Sequence, residues 1–224
     1  MRMKDTPKLA AWAALAVLLI ASALAGCGTS AKTEAQAPTA ADAAIQPLPQ
    51  ALNIADLDNS VVAVSLQPGD AYADSTGAAW MKVMVYDYDR YDAAQIAQMK
   101  VGDTIALEGQ LVTVSTLERD HTGEVKINGG LEQDGYTLMT DNNLCYQVLA
   151  SDAHAWKEMG TAVFQLASDF LFTDTANLEQ GETTYQSADF LTPGTDLVYN
   201  FTPNNTTITI RDGQIAAMDR VYTP

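Results

Sequence analysis

TTITIRDGQIAAMDRVY, running from Thr206 to Tyr222, carries the plainest fold signal in the chain. Thr206–Arg211 and Ile215–Tyr222 are two runs of β-formers with the dipeptide Asp212-Gly213 between them. Asp-Gly supplies two residues that tolerate positive φ, which is what a tight hairpin turn of the right twist demands. The chain therefore ends in an antiparallel hairpin, and the same grammar extends upstream.

Val61–Leu66 is closed by Pro68-Gly69, and Trp80–Tyr88 follows. Thr104–Leu107, Leu111–Leu117 and Glu124–Asn128 are separated by Glu108-Gly109 and polar turns. Tyr136–Thr140 and Leu144–Leu149 flank Asp141-Asn142-Asn143. Thr161–Leu166, Phe170–Phe172, Thr183–Ala188 and Leu197–Thr202 complete the series. Short apolar runs with turn residues every 8–12 positions imply a mainly β fold, an antiparallel sandwich or barrel-like domain. One or two short helices are expected within it. Asp92 can cap a helix over Ala93–Lys100 that ends at Gly102. Ser151 or Asp152 can cap a second through Met159, with Ala153, Trp156 and Met159 at three-residue spacing and Gly160 as terminator. A weak break near 151–160 leaves room for two subdomains.

The N-terminal part reads differently. Arg2, Lys4 and Lys8 precede an almost wholly apolar run, Leu9 to Ala23, which is short against the 20 or so apolar residues a membrane span needs. The run exits into Leu24-Ala25-Gly26-Cys27. These first 27 residues resemble a bacterial lipoprotein signal peptide closed by a lipobox. The resemblance implies diacylglyceryl attachment at the Cys27 thiol, cleavage between Gly26 and Cys27, and a membrane anchor of two or more acyl chains, enough for stable attachment. It covers nothing beyond Cys27. The expected organisation is thus a leader over 1–26, a lipidated Cys27 with a flexible tether over 27–50, and an extracytoplasmic β-rich domain over 51–224. The tether is rich in Ala, Thr, Gln and Pro and has no hydrophobic period, so it lacks the apolar surface to offset its ordering entropy. Its reach is roughly 25–35 Å. Ile45 and Leu48 are its only side chains suited to packing on the domain.

Charge narrows the partners. Residues 1–26 hold three basic side chains and one acid, so the remainder carries 9 Lys and Arg against 27 Asp and Glu, a formal −18. Such a surface repels nucleic acid and anionic headgroups. With Cys27 lipidated, Cys145 stands alone and no internal disulfide can form. Its run, Leu144–Leu149, suits a small buried hydrophobe.

Chemistry is sparse. There is no Gly-x-Ser-x-Gly elbow and no phosphate-cradling glycine loop, and no cofactor is expected. The two histidines, His121 and His154, are 33 positions apart, too scattered for a zinc site. Asp87, Asp89 and Asp92 suggest calcium, but the loop pattern fails at its fifth, sixth and twelfth positions, which are Tyr91, Asp92 and Gln98. The distinctive element is Trp80–Tyr88. Alternation places Met81, Val83 and Val85 on one face and Trp80, Lys82, Met84, Tyr86 and Tyr88 on the other. The first set is core. In the second, Trp80, Tyr86 and Tyr88 form a candidate ligand-binding ribbon, because flat rings with polar edges stack on sugars or anchor a peptide.

The leading reading is a membrane-anchored extracytoplasmic lipoprotein with a non-enzymatic domain that binds a glycan or protein ligand. The alternatives are a surface hydrolase acting on glycans through a carboxylate pair, and a structural envelope component. The anchor is tested directly. Cys27→Ser should leave the precursor uncleaved and unlabelled by fatty-acid analogues; an intact mass showing an unmodified terminus at another residue would contradict lipid attachment.

Overall fold

The structure, a computed structural model, describes residues 44–140, 144–150, 153–192 and 200–223. The leader, Cys27, most of the tether and the Asp141-Asn142-Asn143 loop lie outside the described residues. In chain order, β1 (Val61–Ser65), β2 (Ala71–Ala73) and β3 (Ala79–Tyr88) come first. β4 (Arg90–Asp92), α1 (Ala93–Gln98), β5 (Thr104–Leu107) and β6 (Gln110–Thr113) follow. Next are β7 (Leu117–Arg119), β8 (Val125–Ile127), β9 (Tyr136–Thr140), β10 (Cys145–Ala150) and β11 (Ala153–His154). β12 (Trp156–Asp174), β13 (Thr183–Gln186), α2 (Ser187–Leu191), β14 (Thr206–Arg211) and β15 (Gln214–Arg220) complete the chain.

Five of these strands close on themselves. β1 pairs with β3 and β14, β3 with β12, β12 with β15, and β15 with β14. Counted along the chain, the ring runs first, second, third, fifth, fourth and back to first. All contacts are antiparallel except β12 with β15, which is parallel. Closure removes the exposed edges that an open sheet must protect. The interior is filled by the alternate residues that the sequence places inward: Val64, Met81, Val83 and Val85, then Ile208, Ile210, Ile215 and Met218. The β14–β15 turn is built as expected, with Asp212 at φ 53° and Gly213 at φ 71°. Asp58 holds it from outside through the Gly213 amide at 2.9 Å. Short helix α2 lays Phe190 against Phe172, at 5.3 Å between ring centroids, and Phe170, at 5.9 Å.

Residues 89–155 are inserted between the second and third barrel strands and have their own core of Tyr91, Ile96, Ile105, Leu107, Ile127 and Leu138. β7, β8, β9 and β10 form a meander, with β11 and β4 on the outer side of β10. The β5–β6 hairpin is a separate two-stranded sheet. Helix α1 is capped by the Asp92 carboxylate, which accepts from the Gln95 amide at 2.9 Å, as its sequence implies.

Four expectations are corrected. The second helix, capped at Ser151 or Asp152 and running through Met159, does not form. Ser151 and Asp152 lie outside the described residues, and Ala153 onward is strand. Trp156–Glu158 pairs with Tyr88–Tyr86, and the ladder resumes at Gly160 opposite Val85, so Met159 is the extra residue of a bulge. Gly160, read as a helix terminator, instead adopts φ 135° at that bulge, a conformation closed to most side chains. Three apolar residues at helical spacing lose to an antiparallel ladder of nine residue pairs with β3. For the same reason the expected Thr161–Leu166 and Phe170–Phe172 strands are parts of one 19-residue strand, β12. The break near 151–160 is likewise replaced by an insertion that begins at Asp89. Finally, packing begins before residue 51. Ile45 bridges Ile105, and the Leu48 amide donates to the Arg90 carbonyl at 2.7 Å. Residues 44–50 are therefore a strap on the domain, held through the backbone at Ile45 and Leu48, with Ile45 also packed on the inserted core.

One buried ion pair sits in the parallel ladder. Asp174 and Arg220 are cross-strand partners, 7% and 5% exposed. Arg220 Nε donates to Asp174 Oδ1 at 3.0 Å, and its Nη2 donates to Oδ2. The guanidinium also lies 4.5 Å from the Phe201 ring centre. Burial pushes the Asp174 carboxyl up, but the Arg220 hydrogen bonds and the Ala176 amide outweigh it and hold the group below its usual range. A depressed carboxyl stabilises the fold fully above the unfolded value, about 4, and that contribution is lost as pH falls through the folded value. Arg220→Ala, which strands a buried carboxylate, should cost about 3–5 kcal/mol in urea unfolding at pH 7. The variant should also lose part of the acid-side fall in stability below about pH 4. Wild-type stability at pH 7 would show the pair to be energetically idle.

Candidate functional site

The end of β3 and the start of β12 place Tyr88 and Trp156 opposite each other in the ladder. Their rings are 6.0 Å apart and tilted by 56°. Each ring is held. The Trp156 indole donates to Asn204 Oδ1 at 2.6 Å, which ties it to the turn before β14. Arg90 lies 4.3 Å from the centre of the Tyr88 ring and pairs with Asp87 at 2.7 Å. Burial alone would favour loss of the Arg90 proton, but Asp87 reverses this and keeps the cation charged. Gln50 of the strap donates to the Tyr88 carbonyl at 3.0 Å.

Two clefts share this aromatic pair. One, of about 580 Å³, runs between it and the β5–β6 hairpin; Ala106, Leu111 and the Glu108-Gly109 turn form its far wall, and Gln46 and Pro47 of the strap border it. Asp89 and Lys157 lie in it, bonded to each other at 2.8 Å. The other, of about 490 Å³, adds Tyr86 and Met159 to the same two rings. The site thus combines flat rings, aliphatic walls and a few charges, the composition of a small-ligand site.

The sequence-derived ribbon is divided by the structure. Met81, Val83 and Val85 are core, and Trp80, Tyr86 and Tyr88 are half-buried on the opposite face. Tyr86 and Tyr88 reach the clefts. The Tyr86 hydroxyl is 3.0 Å from Ser65 Oγ, a tether from the neighbouring strand. Trp80 is eight residues from Tyr88, roughly 26 Å along a strand. Its indole donates to Asp74 Oδ2 at 2.9 Å, fastening it to the β2–β3 turn. Sequence reasoning missed Trp156, because three-residue spacing assigned it to a helix. The available signal was the strand-forming run beyond Gly160, which makes a bulge glycine a competing reading of that residue.

The acids that invited other chemistry have local duties. Asp87 pairs with Arg90, Asp89 with Lys157, and Asp92 caps α1. Among the described residues no three His, Cys, Asp or Glu side chains gather as a metal site would require. The carboxyls whose proton affinity departs clearly from normal, Asp74, Asp120 and Asp174, all shift toward the charged form. None of these three is therefore prepared as the proton donor that glycoside hydrolysis needs. Cys145 is free and half-buried.

Asp74 gives a direct check on Trp80. The Thr76 hydroxyl first, then the Trp80 indole, bring its carboxyl down to about 2. Trp80→Phe removes one of those donors, so the Asp74 carboxyl should titrate at higher pH in a carbon-detected NMR titration. No change would mean the indole does not bond there and is available to a ligand.

Comparison of the chain with family models, with curated proteins and with solved structures finds no match.

Proposed function

We propose that this chain is a membrane-anchored extracytoplasmic lipoprotein whose β-rich domain is a non-enzymatic module for binding a ligand or partner, with Tyr88, Trp156 and Tyr86 as the contact surface. The observation that carries the reading is the aromatic pair shared by two clefts and braced by Asn204, Arg90 and Gln50. Rings held in advance lose little freedom when a ligand stacks on them, so more of the contact appears as affinity. Fold-level analogy points the same way. Five-stranded Greek-key barrels of the OB type bind oligonucleotides and oligosaccharides across their second and third strands. Here those strands are β3 and β12, which carry the pair. Analogy of fold does not by itself assign function. The acidic surface argues against nucleic acid and leaves glycan or peptide.

The hydrolase alternative has less support, because Asp89 is spent on Lys157 and the shifted carboxyls all favour the charged state. A purely structural envelope role does not account for two clefts meeting on one aromatic pair.

The test uses tryptophan fluorescence. Without the leader the chain has two tryptophans, Trp80 and Trp156, so Trp80→Phe leaves Trp156 as the only reporter. Soluble cell-wall fragments carrying both sugar and peptide should change its emission saturably. Tyr88→Ala should weaken binding by about 2 kcal/mol, roughly thirtyfold, as expected for an aromatic anchor. Emission that stays flat across such fragments would refute the site.

A further inference from the structure

The β5–β6 hairpin has two edges, and the chain treats them differently. On the β5 edge the Ile45 amide donates to the Thr104 carbonyl at 2.8 Å, and the Ala106 amide donates to the Ile45 carbonyl at 2.9 Å. An extended residue of the strap is therefore added to the sheet in parallel. These bonds also fix the hydrogen-bond phase of the hairpin. Thr104 and Ala106 direct their backbone groups outward, so their antiparallel partners Thr113 and Leu111 do the same on the β6 side. The Thr113 carbonyl is taken by Asn128 Nδ2 at 3.0 Å. Among the described residues the Leu111 amide and carbonyl have no partner, and Leu111 is 51% exposed.

This free stretch of backbone borders the larger cleft. Leu111 and the Glu108-Gly109 turn are part of its wall, facing Tyr88 and Trp156. The charges are unequal. Asp89 is satisfied by Lys157, whereas Glu108 is exposed and makes no ion pair among the described residues. The cleft therefore carries one unmatched negative charge on an acidic protein.

We infer that the β6 edge and the adjoining cleft receive an extended peptide segment bearing a lysine or arginine. This rests on the reading of the cleft as a ligand site and names the ligand's class. The segment's backbone pairs with the Leu111 amide and carbonyl, as in strand addition. A residue opposite Leu111 shares its face, so its side chain points into the cleft toward the aromatic pair. A basic residue near the turn meets Glu108. The edge is only four residues long, which limits indiscriminate pairing with other strands. The strap on β5 is an example, within this molecule, of the same sheet accepting an extended segment.

The experiment uses the full chain in detergent and fluorescence anisotropy with two labelled nine-residue peptides of alternating Thr and Val, one with a central Lys and one with a central Glu. The Lys peptide should bind at least about tenfold more tightly, and Glu108→Gln should remove that preference. Leu111→Pro deletes the outward amide at an edge position where proline is tolerated, and should abolish binding of the Lys peptide while circular dichroism remains native. If that variant fails to fold, methylating the central amide nitrogen of the Lys peptide removes the opposite donor and should have the same effect. Equal binding of the two peptides, or binding indifferent to both Leu111→Pro and methylation, would overturn the inference. Metal-free oligosaccharides that quench Trp156 while neither peptide binds would leave the cleft as a ligand site and reject the peptide. Peptide binding unchanged by Trp156→Ala would reject the cleft itself.

Discussion

The backbone ladder along β12 is the constraint on which the rest of the molecule depends. A strand of 19 residues pairs first with β3 and then, from Gln165 onward, in parallel with β15. At about 3.3 Å per residue it is far longer than a typical strand, and it must change neighbours along its length. Each of the two ladders contains one irregularity. The Met159 bulge adjusts the twist against β3, and a register shift between Leu166 and Leu171 does so against β15. Across the second, the long strand keeps its buried phase, from Phe164 and Leu166 to Phe170 and Phe172, and the partner strand takes up the shift, with Ile215 buried before it and Met218 after.

Closure has consequences for the insertion. β3 and β12 leave the barrel side by side, so residues 89–155 begin and end at adjacent points. A unit with its own core can be placed there with little disturbance to the barrel. The strap then binds the two parts. Gln50 donates to Tyr88 at the end of β3, Leu48 to Arg90 on β4, and Ile45 pairs with β5. The aromatic pair and the larger cleft lie at this junction because it is where barrel, insertion and strap converge. Binding sites favour such junctions, where elements meet without filling the space between them.

The ionic groups follow a consistent division. Most pairs are exposed, such as Lys82 with Asp70 and Arg211 with Asp169, and contribute little to stability. Asp174 with Arg220 is the buried exception, and it spans the one parallel contact of the ring. Its guanidinium is also stacked on the aromatic cluster built around Phe172. The acids around Tyr88 serve the geometry of the site: Asp87 fixes Arg90, and Asp89 fixes Lys157.

Local rules carried a large part of the fold. Asp212-Gly213 specified a hairpin because few dipeptides tolerate two successive positive φ angles, and Thr206–Arg211 is the strand observed. Alternation over Trp80–Tyr88 placed Met81, Val83 and Val85 in the core, since one face of a half-buried strand must be apolar. Asp92 and the residues after it specified α1 through a cap whose effect is local. The position of Tyr86 and Tyr88 on the face opposite the core was legible for the same reason as the core itself: it follows from the period of two. Trp156 was not legible, since its neighbours fit a helix as well as a strand, and only the β3 ladder decides between them. Closure of the ring, the docking of Ile45 and Leu48, and the meeting of Tyr88 with Trp156 were decided by pairings between residues tens of positions apart. Those pairings are fixed by which edges remain to be satisfied once the strands are brought together, a property of the assembled sheet that no single stretch of sequence contains.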